Sequence, residues 1–211
     1  MSHESLIAEL ASGIKPVTPL PSPKVRAARW VLVATLTVAL GLAAKGLRQN
    51  WEMALADPWF LLTVALILAT GVAAAMTAMA LSVPGVVRAS WMKWVPVTLM
   101  LAWGAVLAAE VLLAGTSWRA ESWGVNCLWK TWGIAVGPAA VILWLAGRAA
   151  PLDWRWTGGL AALASLAFGV LGTELICPVS VHAHVFTWHF LPVAVTTGLT
   201  FLGVTLWARR R

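Results

Sequence analysis

Apolar residues along this chain gather into six long runs, near 28–47, 58–82, 93–114, 127–147, 156–177 and 186–207. Each approaches the ~20 residues that an α-helix needs to cross a hydrocarbon core. None carries a Lys or Arg well inside its apolar centre, and polar residues collect between the runs. The pattern predicts an all-α integral membrane protein with six transmembrane helices. Ahead of the first run the pattern changes twice. In residues 1–14, Leu6, Ile7, Leu10 and Ile14 fall on one arc at helical spacing, with Glu4, Ser5, Glu9 and Ser12 elsewhere. Then Pro16, Pro19, Pro21 and Pro23 crowd into eight residues, which excludes a helix and favours a stiff, extended spacer. The chain therefore divides into a segment 1–27, a short amphipathic helix with a proline-rich linker, and a six-helix membrane domain, 28–211. The first run reads as an uncleaved span. Nearly 30 proline-containing residues precede it, and Lys45 and Arg48 follow with no small-residue cleavage site.

Composition sharpens this. Of 211 residues, 60% are hydrophobic and 11% charged, against roughly 25% charged in a soluble domain. Six spans take about 120 residues and leave about 90 for all tails and loops, so a soluble catalytic domain does not fit. A disordered chain, a DNA-binding domain and a disulfide-rich secreted domain are excluded as well. The net charge of +7 is a topology signal. With the N-terminus in the cytoplasm, the inner segments hold Lys15, Lys24, Arg26, Arg29, Arg88, Lys93, Arg148, Arg155 and Arg209 to Arg211, eleven cations, while Lys45, Arg48, Arg119 and Lys130 lie outside. Eleven against four predicts both termini cytoplasmic. Fifteen Trp and no Tyr suit interface anchoring and packing, with Trp30, Trp59, Trp91, Trp94, Trp118, Trp123, Trp154, Trp156 and Trp207 flanking the runs. Gly133 and Gly137 form a small-xxx-small pair that permits close helix contact.

The same topology sorts the reactive residues. Cys127, Cys177, His182, His184, His189, Glu110 and Glu174 all fall at the outer side, and only His3 among the histidines lies elsewhere. Two cysteines in an oxidising compartment can form a disulfide. They are not a CxxC pair, which argues against a thiol–disulfide exchange enzyme. His182 and His184, in extended chain, would put both rings on one side. Imidazole with thiolate suits copper or zinc. Glu110 and Glu174 are costly within a bilayer and serve either as ligands or as hydrogen-bond partners of the histidines. A bridge and a metal site both remain open, and the histidines favour the metal. No Ser–His–Asp set, paired-carboxylate site or facing haem histidines occur, so an enzyme is not expected. The nearly pure apolar span centres argue against a proton-coupled transporter. A small transporter or metal-handling permease, using the outer cluster as its mouth, is the alternative to a signalling protein.

The opening Glu4-Ser5-Leu6-Ile7-Ala8-Glu9-Leu10-Ala11, then Lys15-Pro16-Val17 and a proline-rich run into a basic first span, resembles the NrsF-type anti-sigma factors. So do Cys177-Pro178, the following His184, and Trp188-His189. The resemblance covers nearly the whole chain. It implies a multi-pass protein of the bacterial inner membrane that restrains an extracytoplasmic-function sigma factor. It further implies a cytoplasmic N-terminal segment that holds the sigma factor, and two outward-facing cysteines, here Cys127 and Cys177, that sense heavy metal or redox stress. The partners are then the sigma factor and the lipid bilayer, with no direct nucleic acid contact. The stripe of Leu6, Ile7, Leu10 and Ile14 is the kind of surface that lies in a partner's groove. So few apolar anchors imply modest affinity from the tail alone.

Overall fold

The computed structural model describes residues 2–12, 19–84, 90–113 and 124–209. Among these the chain is helical without strands: α1 (His3–Ser12), α2 (Pro23–Lys45), α3 (Trp51–Ala56), α4 (Pro58–Leu81), a 3₁₀ turn (Ser90–Lys93) leading into α5 (Trp94–Leu113), α6 (Val125–Gly147), α7 (Trp154–Ile176), α8 (His182–Val185), a π-helical turn (Phe186–Phe190) and α9 (Leu191–Ala208). Six helical stretches are long and apolar enough to cross a membrane, the last running from His182 to Ala208 through α8, the π turn and α9.

Local chemistry sets where these helices begin and end. Ser22 Oγ accepts from the Val25 amide while Pro23 takes the first helical position, so α2 starts five residues ahead of its apolar run. Asp57 and Pro58 do the same for α4, and Asp153 accepts from two amides at the start of α7. Gly46, at φ +82°, ends α2 in backbone that a Cβ would strain.

The bundle is organised around α7. Of its most apolar stretch 83% is buried inside the protein, against 11–39% for the other five spans. It packs on α2, α4, α6 and α9. Glycines make this possible. A Cβ on Gly169 would collide with the backbone oxygen of Thr131, and one on Gly172 would come 2.7 Å from Ile134 Cδ1, so α7 and α6 meet almost backbone to backbone. The close contact expected at Gly133 and Gly137 is not there. A Cβ at Gly133 would meet nothing within 4 Å, and one at Gly137 only Thr37, at 3.5 Å. The glycines that matter lie on the partner helix.

Tryptophans divide between two roles. Trp59, Trp91, Trp94 and Trp207 are exposed on the outside of the bundle, as anchors are. Trp30 instead is fully buried. Its indole donates to the Pro138 carbonyl at 2.8 Å and its ring sits edge-on to Phe168. Trp118 and Trp123 lie outside the described residues. Two cations are also structural. Arg26 donates to the carbonyls of Leu145 and Met79, both at 3.0 Å, and to Ser82 Oγ, clasping the C-terminal ends of α6 and α4. Their helix dipoles favour a cation there. Arg48 donates to the Glu174 carbonyl, Asn50 Oδ1 and Ser180 Oγ, at the opposite end of the bundle. The six alternating spans thus gather Arg26, Arg29, Arg148 and Arg155 at one end, and Glu110, Cys127, Cys177 and the three late histidines at the other.

Candidate metal centre

The candidate site begins where α7 stops. The Cys177 amide still bonds to the Thr173 carbonyl, at 2.7 Å, but Cys177 itself is extended and Pro178 has no amide with which to continue the ladder. The short connection that follows is held by Arg48 through Ser180 and by Asn50, whose amide donates to the Pro178 carbonyl at 3.2 Å. The chain re-enters the bundle helically at His182, and the π turn at Phe186–Phe190 inserts one wider turn before α9.

This corrects the extended reading of His182-Ala183-His184. Residues two apart on a helix point about 200° apart, so the two rings diverge. His182 Nδ1 lies 2.9 Å from Glu110 Oε2 on α5. His184 turns the other way, toward the thiols: its Nε2 is 3.6 Å from Cys127 Sγ and 3.7 Å from Cys177 Sγ. The two sulfurs are 3.5 Å apart, and both cysteines are buried and free, without a disulfide. His189, on the π turn, completes the group. Its ring centroid is 5.3 Å from that of His184, and the donor atoms of Cys127, Cys177, His184 and His189 all lie within 4.8 Å of one another.

These separations have chemical content. A tetrahedral zinc ion with Zn–S of about 2.3 Å and Zn–N of about 2.0–2.1 Å has S···S edges of about 3.8 Å and S···N edges of about 3.6 Å. The observed 3.5, 3.6 and 3.7 Å are such edges to within a few tenths of an ångström. His189 is oriented from behind: Glu174 Oε1 is 2.6 Å from its Nδ1, which leaves the buried Nε2 to the cluster. A carboxylate behind a ligating histidine fixes its tautomer and raises its basicity. Thr131 and Thr173 hydroxyls, 2.9 Å apart, pin α6 to α7 one turn below the thiols.

Of the seven expected outer residues, four meet in one cluster and Glu174 supports it from behind. Glu110 and His182 form a separate pair on the wall of a neighbouring cavity of about 320 Å³, together with Asp57 and Arg48. Of the expected partner-binding stripe, Leu6, Ile7 and Leu10 are exposed on α1, which buries no residue, and Ile14 lies outside the described residues. Sequence reasoning overlooked Arg48, Asn50 and the Thr131–Thr173 pair. Arg48 was counted only as an outer cation. A lone Arg just past a helix-ending Gly46 gives no sign that it will fold back over a loop more than 120 residues away.

Residues 10–209 match the family model NrsF, negative regulator of sigma F. No curated protein and no solved structure matches the chain.

Proposed function

The chain belongs to the NrsF family of negative regulators of sigma F, and on that premise we propose that it is a membrane-embedded anti-sigma factor. Its segment 1–27 holds an extracytoplasmic-function sigma factor at the cytoplasmic face of the bacterial inner membrane. The Cys127–Cys177–His184–His189 cluster faces outward and binds a soft or borderline ion such as copper or zinc, and that event releases the partner. The orientation rests on the eleven-to-four distribution of Lys and Arg. The metal reading rests on one observation, four buried donor atoms within 4.8 Å of one another. Oxidation of the two thiols to a disulfide is the competing trigger, and the two histidines at the same point speak for the ion.

The fold supplies a mechanical connection between the two ends. Cys127 lies near the start of α6, and the same helix gives its Pro138 carbonyl, at mid-length, to Trp30 and its Leu145 carbonyl, near the far end, to Arg26, both on α2. The linker and α1 precede α2 directly. An ion seated among these donors, whose separations already suit it, ties α6 to the end of α7 and to α8, and α6 bears on α2 through those two carbonyls.

The test is capture of the sigma factor by full-length protein in detergent or nanodiscs, with copper, zinc or a mild oxidant added. Full-length protein is expected to hold the partner, and protein lacking residues 1–24 to lose it. Cys127→Ser and His184→Ala are each expected to hold the partner but no longer release it to metal. Loss of response to oxidant alone in the Cys variants would make the pair a redox switch. Ion flux into liposomes without any sigma-factor capture would make the protein a permease.

A further inference from the structure

We propose that the inner end of the bundle, between α2 and α6, is a binding site for the phosphate of an anionic phospholipid. A cavity of about 220 Å³ lies there, with Arg26, Arg29 and Arg148 in its wall together with Val33, Val141 and Leu145. Among the described residues no acid lines it. The charge is therefore uncompensated by the described residues that line it. Arg26 is 1% exposed, yet every bond its guanidinium makes goes to a neutral oxygen, and its Nε has no hydrogen-bond partner. Helix dipoles offset only part of a buried charge. Of the described acids at this end, Asp153 is already engaged by Arg155, at 3.3 Å. Glu4 and Glu9 ride on α1, which buries nothing against the bundle.

The cavity's composition points to a lipid rather than a free ion. The arginines stand at the first two turns of α2 and the end of α6, where a span meets the headgroup layer. Val33, Val141 and Leu145 lie one to two turns deeper, on the path an acyl chain takes below a phosphodiester. The Arg148 guanidinium lies over the Trp144 ring, 5.2 Å from its centroid, which holds the cation at the cavity instead of extended into water. Basic pockets between transmembrane helices are recurrent sites for anionic headgroups. Leu20 and Pro21, the end of the linker, also line this cavity, so a bound headgroup seats the point where the tail leaves the membrane.

Full-length protein is reconstituted in nanodiscs with equal amounts of phosphatidylglycerol and phosphatidylcholine, extracted gently, and the retained lipid weighed by native mass spectrometry. Wild type should retain phosphatidylglycerol over phosphatidylcholine by roughly tenfold. The double variant Arg29→Gln/Arg148→Gln, whose side chains are exposed, should lose that preference with unchanged thermal unfolding in neutral detergent. Arg155→Gln/Arg209→Gln should keep it. Equal retention of the two lipids by wild type overturns the proposal, as does a preference that survives Arg29→Gln/Arg148→Gln. A parallel arm adds millimolar inorganic phosphate to protein in neutral detergent. Stabilisation there equal to that given by phosphatidylglycerol would make the site one for a free anion and would likewise overturn it.

Discussion

At Glu174 and His189 two ionisable groups sit almost wholly inside the bundle, 2.6 Å apart. A carboxylate at that depth is costly without a hydrogen-bond partner. Glu174→Ala leaves the His189 Nδ1 proton with no acceptor and is expected to cost about 1–3 kcal/mol, the range for a buried donor left unsatisfied, read as thermal unfolding in detergent. Glu174→Gln keeps an amide oxygen for the Nδ1 proton and should recover most of that loss. Both variants should bind zinc or copper about 10–100-fold more weakly than wild type, because the carboxylate no longer sets the basicity of the ring behind which it stands. Equal metal affinity in all three proteins would mean that His189 is held by Glu174 for folding alone. The Cys177→Ser variant separates the cases further: it removes a ligand without touching the Glu174–His189 bond, so it should lose the ion and keep the stability.

The helices themselves were legible, and their details less so. Six apolar runs became six membrane-length helices because run length near 20 residues has no other common solution in this composition. The start of α2 at Pro23 was hidden by its proline, which marks a first helical turn as readily as a linker. Trp30 sat at a run's edge like an anchor, yet faces Phe168 and the Pro138 carbonyl. Only the angular position of one helix on another decides between those fates, and a single run does not carry it. His182 and His184 differ from expectation for a related reason. Their spacing suits extended chain, whereas α8 makes it helical, so His184, with His189 from the π turn, meets the thiols and His182 does not. Helix contact was misplaced too, from α7 onto Gly133 of α6, and a paired substitution checks the corrected assignment. Gly169→Ala must push Thr131 away and is expected to destabilise by about 1–3 kcal/mol. Gly133→Ala, with open space around it, should be neutral or stabilise by up to about 1 kcal/mol through helix propensity. The reverse order in thermal unfolding would place the tight seam where the sequence first suggested it.

Over the whole molecule, chemistry is segregated by end. Cysteines and late histidines occupy one mouth of the bundle, Arg26, Arg29 and Arg148 the other, and α1 buries no residue against either. A helix with Leu6 at 43%, Ile7 at 65% and Leu10 at 65% exposure contributes nothing to the fold it precedes. An apolar stripe exposed among the described residues is suited to an outside partner. Leu6→Glu and Leu10→Glu should therefore abolish sigma-factor capture while leaving membrane insertion, thermal unfolding and metal binding at their wild-type values. The reason is local: a carboxylate placed in a packed apolar groove is buried without a counter-charge, at a cost of several kcal/mol. The same substitutions on a tail that merely lies along the membrane surface would reduce lipid association and spare capture. Measuring partner affinity and vesicle flotation on the same variants distinguishes the two. Affinity lost with flotation intact assigns the stripe to the sigma factor; flotation lost with affinity intact moves the docking surface to the inner loops.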